Sequence, residues 1–409
     1  MICDLHTLGA LTALGRNANL RTLRTGLLPA KYKTLSLISL VHGTNHSFWM
    51  LMPVLLTLII TEFSISVTEA GLLVTVFFVT YALFQLPVGS LADRVDKRFL
   101  IGIGMGISST GVILSGLATS FPMLLLFQAI AGLGGGTFHP ASISLLSEAF
   151  HKAERGRALG FHGFAASIAF FVSPLAIIGL GETDWRVPFL VLGTIGILVS
   201  ASFIALIGKQ LSGITQPIRY STLMLRNKDL RNVTVGNAVL ALAERGVNTF
   251  IPLFLVSLYA MTISQATQLF SVIFLVAIGG QLIGGFLADK ANRRILAIIL
   301  AITQTAALLV LASVPFEMLL IPILAIIGLT LYALIPVVDT LVVEAVPEES
   351  RGKGLGAFFT VGIAVGALSP TISARIIENL GFQTAYIALA LLPVISIPLL
   401  INARLSDRK

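Results

Sequence analysis

Cysteine is all but missing from this 409-residue sequence, in which Cys3 stands alone. That excludes a disulfide framework and a cysteine metal cluster. Charge is scarce as well. Asp, Glu, Lys and Arg make up 11% of the chain, against about a quarter in soluble globular proteins, so a water-soluble fold is excluded. Strict period-two alternation is absent and the apolar runs are too long for barrel strands, which excludes a transmembrane β-barrel. There is no nucleotide loop, no HExxH and no recognisable Ser/His/Asp arrangement, so a membrane enzyme has no support. The glycines from Gly132 to Gly136 lie inside an apolar span and cannot form a phosphate loop. No cofactor and no metal is expected.

What the chain has is hydrophobicity, at 56% of residues and a mean hydropathy of +0.95. Twelve apolar spans are predicted at roughly 34–60, 69–91, 99–119, 122–148, 155–180, 186–208, 232–259, 265–288, 294–314, 317–345, 351–377 and 383–403. Each suits a helix crossing about 30 Å of hydrocarbon, where every backbone group must be bonded within the segment. The fold class is therefore all-α membrane protein. If the N-terminus is cytoplasmic, 24 of the 27 Lys and Arg residues fall on one side, leaving Arg186, Arg245 and Arg375 elsewhere. The positive-inside rule then places both termini in the cytoplasm. It also reads the net charge of +8 as topology, so no nucleic acid is expected. The organisation is a basic tail at 1–33, six spans at 34–208, a cytoplasmic linker at 209–231, six spans at 232–403 and a short end at 404–409. The expected partners are the lipid bilayer, a small-molecule substrate and protons, for a monomer in the inner membrane of a cell.

The two sets of six are copies. Gly89-Ser90-Leu91-Ala92-Asp93-Arg94-Val95-Asp96-Lys97-Arg98 returns as Gly285-Phe286-Leu287-Ala288-Asp289-Lys290-Ala291-Asn292-Arg293-Arg294, an offset of 196 residues. The offset holds without a gap: Gln85 maps to Gln281, Gly132 to Gly328, Pro140 to Pro336, Glu148 to Glu344 and Ser173-Pro174 to Ser369-Pro370. A tandem duplication places function between the halves. Within the repeated loop, Gly89 and Gly285 are expected to let helices approach closely. Asp93 and Asp289 are expected at helix ends, where a carboxylate meets a positive helix terminus. Glu148 and Glu344 are the expected partners of the basic residues, which include Arg94, Lys97, Arg98, Arg293 and Arg294. Plain topology charge accounts for the lysines and arginines but not for the repeated Gly-x-Leu-Ala-Asp.

Gly89 to Arg98 resembles the loop motif between spans two and three of the major facilitator superfamily, G-x-L-A-D-R-x-G-R-R. It departs from that motif at Asp96, where the family has glycine, and at Lys97. The resemblance covers residues 34–403. It implies the major facilitator fold, two pseudo-symmetric six-helix bundles around a central cavity, with the motif charges holding the bundles together when the cavity faces outward. Phe138-His139-Pro140, His42 with Asn45, and Ala158 to Gly163 resemble the fosmidomycin-resistance branch of drug/proton antiporters. His46 and Ala141 stand where that branch tends to carry acids. The resemblance implies efflux by proton-coupled antiport. Proton-coupled uptake of an organic solute stays open, as does metal transport by intramembrane histidines.

Ionisable groups inside spans are costly and mark functional paths or structural pairs. Span seven carries Asn237, Glu244 and Asn248 at one helical face, with Arg245 about 100° round. Span ten offers Tyr332 and Asp339, and span one offers His42, Asn45, His46 and Trp49. His139 ends a smooth face of span four, and His162 opens span five. Glu244, Asp339 and His46 are the candidates for proton coupling. His42, Asn45, Trp49, His139, His162, Asn237, Arg245, Asn248 and Tyr332 are candidates for the substrate cavity, with Phe77 and Phe78 nearby. Each also has a structural alternative, above all helix–helix bonding by His162 and ion pairing by Arg245 with one of the two acids. His42 and His46 sit four apart, a metal-binding spacing, and with His139 and His162 nearby could form a transition-metal pathway, but the absence of cysteines and the scarcity of acids beside them argue against a metal.

Overall fold

The structure is a computed structural model, and it describes residues 29–91, 95–208, 226–314, 316–346 and 351–402. Asp93, Arg94 and most of the expected tail and linker lie outside the described residues. The spans of the first half are the helices Ala30–Phe63, Val67–Leu91, Lys97–Gly116, the pair Phe121–Gly135 and Phe138–Ala149, Lys152–Gly181 and Arg186–Leu206. Those of the second half begin with Lys228–Tyr259, Ile263–Lys290, Arg293–Ala312 and Leu320–Ala345. Arg351–Gly366 and Ser369–Ile401 complete it. Spans one and seven thus begin about one turn earlier than the hydropathy pattern suggests.

Among the described residues, eleven stretches are long and apolar enough to cross a membrane, and the last runs 48 residues, from Gly354 to Ile401. Unbroken, it would reach about 72 Å, more than twice the hydrocarbon thickness. It is broken at Gly381, whose φ of 83° an L side chain rarely adopts. The break separates spans eleven and twelve and restores the count of twelve. Leu126, Leu198 and Leu282 are each more than half exposed, as side chains facing hydrocarbon can be.

The duplication is written into the local structure. Ser64 and Ala260, 196 apart, both end a span with φ of 50°, the left-handed cap of a helix. The next spans open on matching capping boxes. Ser66 and Glu69 exchange backbone N–H bonds, and Thr262 and Gln265 do the same. Asp96 and Asn292 each cap the following span by accepting from the amide two residues on. This capping gives Asp96 a task at the position where it departs from the family motif. A Cβ on Gly132 would lie 2.0 Å from the Phe77 carbonyl oxygen, and one on Gly328 2.3 Å from that of Ile273. Those contacts are also one repeat apart.

Packing follows the same rule. Within the halves, span one lies on five, two on four and three on six, matched by seven on eleven, eight on ten and nine on twelve. Between the halves, span two meets eleven, five meets eight and one meets seven. Exchange of the halves maps each of these contacts onto another or onto itself, which defines a pseudo-two-fold axis through spans one and seven.

Candidate functional site

The helical period sets the site. His42, His46 and Trp49 recur at i, i+4 and i+7 along span one, and Asn237, Ala241 and Glu244 at the same spacing along span seven, so each trio shares a face. The two faces meet across a cavity of about 450 Å³. The first half lines it with His42, His46, Trp49, His139, Ser167 and Phe170. The second half supplies Asn237, Glu244, Arg245, Gln281, Tyr332 and Asp339. Nine of the twelve side chains expected at the cavity or in coupling therefore line it. The other three do not. Asn45 is buried between spans two and four, near the Tyr81 hydroxyl and the Gly135 carbonyl at 3.5 Å each. His162 offers its carbonyl to His42. Asn248 is 7% exposed and does not line the cavity. Phe77 and Phe78 are packed behind Trp49 and do not line the cavity.

Arg245 has a partner that the sequence does not suggest. Its guanidinium lies 3.8 Å from the Phe78 ring centroid and 4.8 Å from that of Trp49. Among the described residues no carboxylate comes within ion-pairing distance of it, so the expected pairing with Glu244 or Asp339 is not made in this conformation. Glu244 precedes it in the chain but is turned about 100° away. A cation over two rings is held by their quadrupoles, worth about 2 kcal/mol when desolvated. Trp49 and Arg245 are equivalent positions of the repeat, so this contact joins two symmetry mates on the pseudo-two-fold axis. Sequence reasoning also missed Gln281, whose side-chain oxygen accepts from the Ser167 hydroxyl across the halves at 3.1 Å, and Gln304, which is 2% exposed. A polar amide inside an apolar span was the signal available for both.

The cavity is closed at the end remote from the basic loops. There the Thr68 amide donates to Glu378 at 2.9 Å, and the Thr371 amide and hydroxyl both donate to the Thr75 hydroxyl. Gly71 meets the Pro370 carbonyl so closely that a Cβ would come within 2.6 Å. From Arg245 the cavity runs past Asn237, Asp339 and Phe358 toward the basic end.

At that end Lys97 is 1% exposed and reaches Glu148 at 2.9 Å. One repeat on, Arg293 is paired with Glu344. Both pairs tie the start of one span to the end of the next within the same half, so neither bridges the two bundles in this conformation. Arg98 fastens the start of span three to the end of span six through the Ile207 carbonyl at 3.4 Å. Gly285 faces open space, and the close approach expected there occurs at Gly284, against Ala333. Gly285 thus marks the motif without making the contact.

The model of the Major Facilitator Superfamily matches residues 37–219 and 233–409. Among curated proteins, the probable L-galactonate transporter of Escherichia coli (strain K12) is 26% identical over 250 residues, 56% of this chain and 55% of that protein. That match thus spans about half of the relative's length. The fosmidomycin resistance protein of the same organism is 27% identical over 385 residues, 88% of this chain and 90% of its own. Among solved structures, a bacterial homolog of the human lysosomal transporter Spinster, inward-facing and occupied, superposes with a TM-score of 0.82 at 20% identity. That superposition covers 92% of this chain and 97% of the other. With both halves matched, and with duplicated bundles closing on a polar cavity, the chain is an integral multi-pass membrane protein that belongs to the Major Facilitator Superfamily.

Proposed function

We propose that the chain exports a small organic solute in exchange for protons, by alternating access, with the basic end in the cytoplasm of a cell whose inner membrane holds it. On this reading the conformation described is inward-facing, since the cavity extends to the basic end and the threonine contacts seal the other. The observation that carries the reading is the pair of cavity carboxylates, Glu244 and Asp339, with no arginine partner among the described residues, while Arg245 rests on Trp49 and Phe78. A carboxylate that faces water first on one side and then on the other carries a proton across once per cycle. Arg245 can meanwhile switch between the rings and an anionic partner. In the other state Asp93, Arg94 and Asp289 are assigned the latch between bundles, with Lys97, Arg98, Arg293 and Arg294 as its basic side. The fosmidomycin resistance protein, matched over nearly its whole length, supports the export direction.

Uptake by symport is the second reading. It is favoured by a guanidinium in the cavity with no carboxylate within ion-pairing distance among the described residues, which suits an organic acid, and by the likeness to a galactonate transporter. One experiment separates the two. In proteoliposomes with an acidic lumen and a luminal pH dye, an antiported compound added outside raises luminal pH, because protons leave. A symported compound lowers it. Transport without any change in luminal pH contradicts both.

A further inference from the structure

The coupling scheme uses carboxylates and leaves the histidine wall of the first half without a task. That wall is more than a packed surface. His42 and His46 share one face of span one, and the break at residues 136–137 of span four brings His139 against them. One ring nitrogen from each of the three lies within 4.8 Å of the others. Around a tetrahedral zinc with Zn–N of about 2.0–2.1 Å the nitrogens would stand about 3.3 Å apart. Side-chain rotations of about 1.5 Å or less close that gap.

The hydrogen bonds prepare the site. His42 Nδ1 donates to the His162 carbonyl at 2.8 Å, so its Nε2 carries the lone pair, the arrangement found behind metal-bound imidazoles. His42 Nε2 and both nitrogens of His46 are buried with no hydrogen-bond partner among the described residues. Unpaired buried polar atoms are costly, and a cation at this point would give His42 Nε2 and one ring nitrogen of His46 a partner at once. His139 is half-buried on the cavity side, which leaves an entry path.

We propose that His42, His46 and His139 bind one transition-metal dication of the zinc, copper or nickel class, with its fourth position open to the cavity. Three neutral imidazoles suit such ions, whereas magnesium and calcium require oxygen ligands. Of His139 and His162, the two further histidines the sequence offers beside His42 and His46, folding brings a His139 ring nitrogen into the group. Arg245 is the electrostatic rival of the ion. It sits over Trp49, whose ring is 4.2 Å from that of His46, so a guanidinium opposes the incoming charge.

The test uses tag-free, chelator-stripped full-length protein in detergent, titrated with Co2+ and then Zn2+. One Co2+ per chain with intense tetrahedral visible absorption, displaced by Zn2+, is expected. Even outer-shell partners cost 10–100-fold in affinity, so His46→Asn and His139→Asn should each weaken binding by at least about 100-fold. His151→Asn, at an exposed position outside the group, should change nothing. Arg245→Gln should tighten binding by about tenfold by removing a like charge, a gain that misfolding cannot produce. Absence of the spectrum, its survival when all three histidines are replaced, or an unchanged affinity in Arg245→Gln overturns the proposal. Binding is read without a gradient, so its failure leaves the proton-coupling scheme standing.

Discussion

The two halves share a scaffold and differ in the wall they turn to the cavity. Caps, capping boxes, ion pairs and the Gly132 and Gly328 contacts recur 196 residues apart. Most polar cavity residues do not. His42, His46 and His139 correspond to Ala238, Leu242 and Ile335, while Asn237, Glu244 and Asp339 correspond to Val41, Phe48 and Ile143. The helix caps and the Gly132/Gly328 approach have kept their geometry, while these polar cavity positions have diverged. Among the described lining residues, both carboxylates belong to the second half. One half thus holds the acids and the other an imidazole and aromatic surface against which Arg245 rests.

The largest effect should come from the shared scaffold. Gly132→Val and Gly328→Val each drive a side chain into a backbone carbonyl. Each should cost about 3 kcal/mol or more, seen as lost folding yield and a lowered Tm in detergent. A strong effect in one half alone would break the equivalence. Next comes the contact on the axis. Trp49→Leu removes a ring under Arg245 and should change the exchange rate by about five- to thirty-fold, as expected for 1–2 kcal/mol of cation–π energy. Trp49→Phe should retain most of the rate.

Smaller effects separate the two copies of the ion pair. Glu148→Gln leaves Lys97 buried without its carboxylate and should lower stability by about 1–3 kcal/mol, a range reduced because Glu148 is 46% exposed. Glu344→Gln, where both partners are near 30% exposed, should cost about 0.5 kcal/mol. Equal melting shifts would remove the asymmetry. The smallest contrast lies between neighbours. Gly284→Ala meets the Ala333 backbone and should destabilise, whereas Gly285→Ala meets nothing and should be neutral or gain up to about 1 kcal/mol of helix propensity.

The scaffold was legible in the sequence because its constraints are local. A repeated Gly-x-Leu-Ala-Asp, apolar runs of spanning length and basic loops each report on a few neighbouring residues. The shared faces of spans one and seven were legible for the same reason, since helical spacing places His46 with Trp49 and Asn237 with Glu244. What escaped depends on contacts between distant segments. Arg245 had two acids in view as partners, and only the meeting of spans one, two and seven shows the rings beneath it. Asn45 and Asn248 lie on the polar faces but at their margins, where a neighbouring helix covers them. Gly285 holds the motif position, yet the glycine that meets span ten is its neighbour Gly284, a difference of helical phase that a motif does not encode.

Glu244 is the proposed proton carrier of the acidic half. Glu244→Gln keeps the size and hydrogen-bonding capacity of the protonated side chain and removes its titration. In proteoliposomes the variant should exchange labelled substrate for unlabelled substrate by counterflow at a near-normal rate, while accumulation driven by an imposed pH gradient is lost. Accumulation against a gradient by Glu244→Gln, at the level of the unaltered protein, would contradict the account and move the coupling to Asp339 or His46.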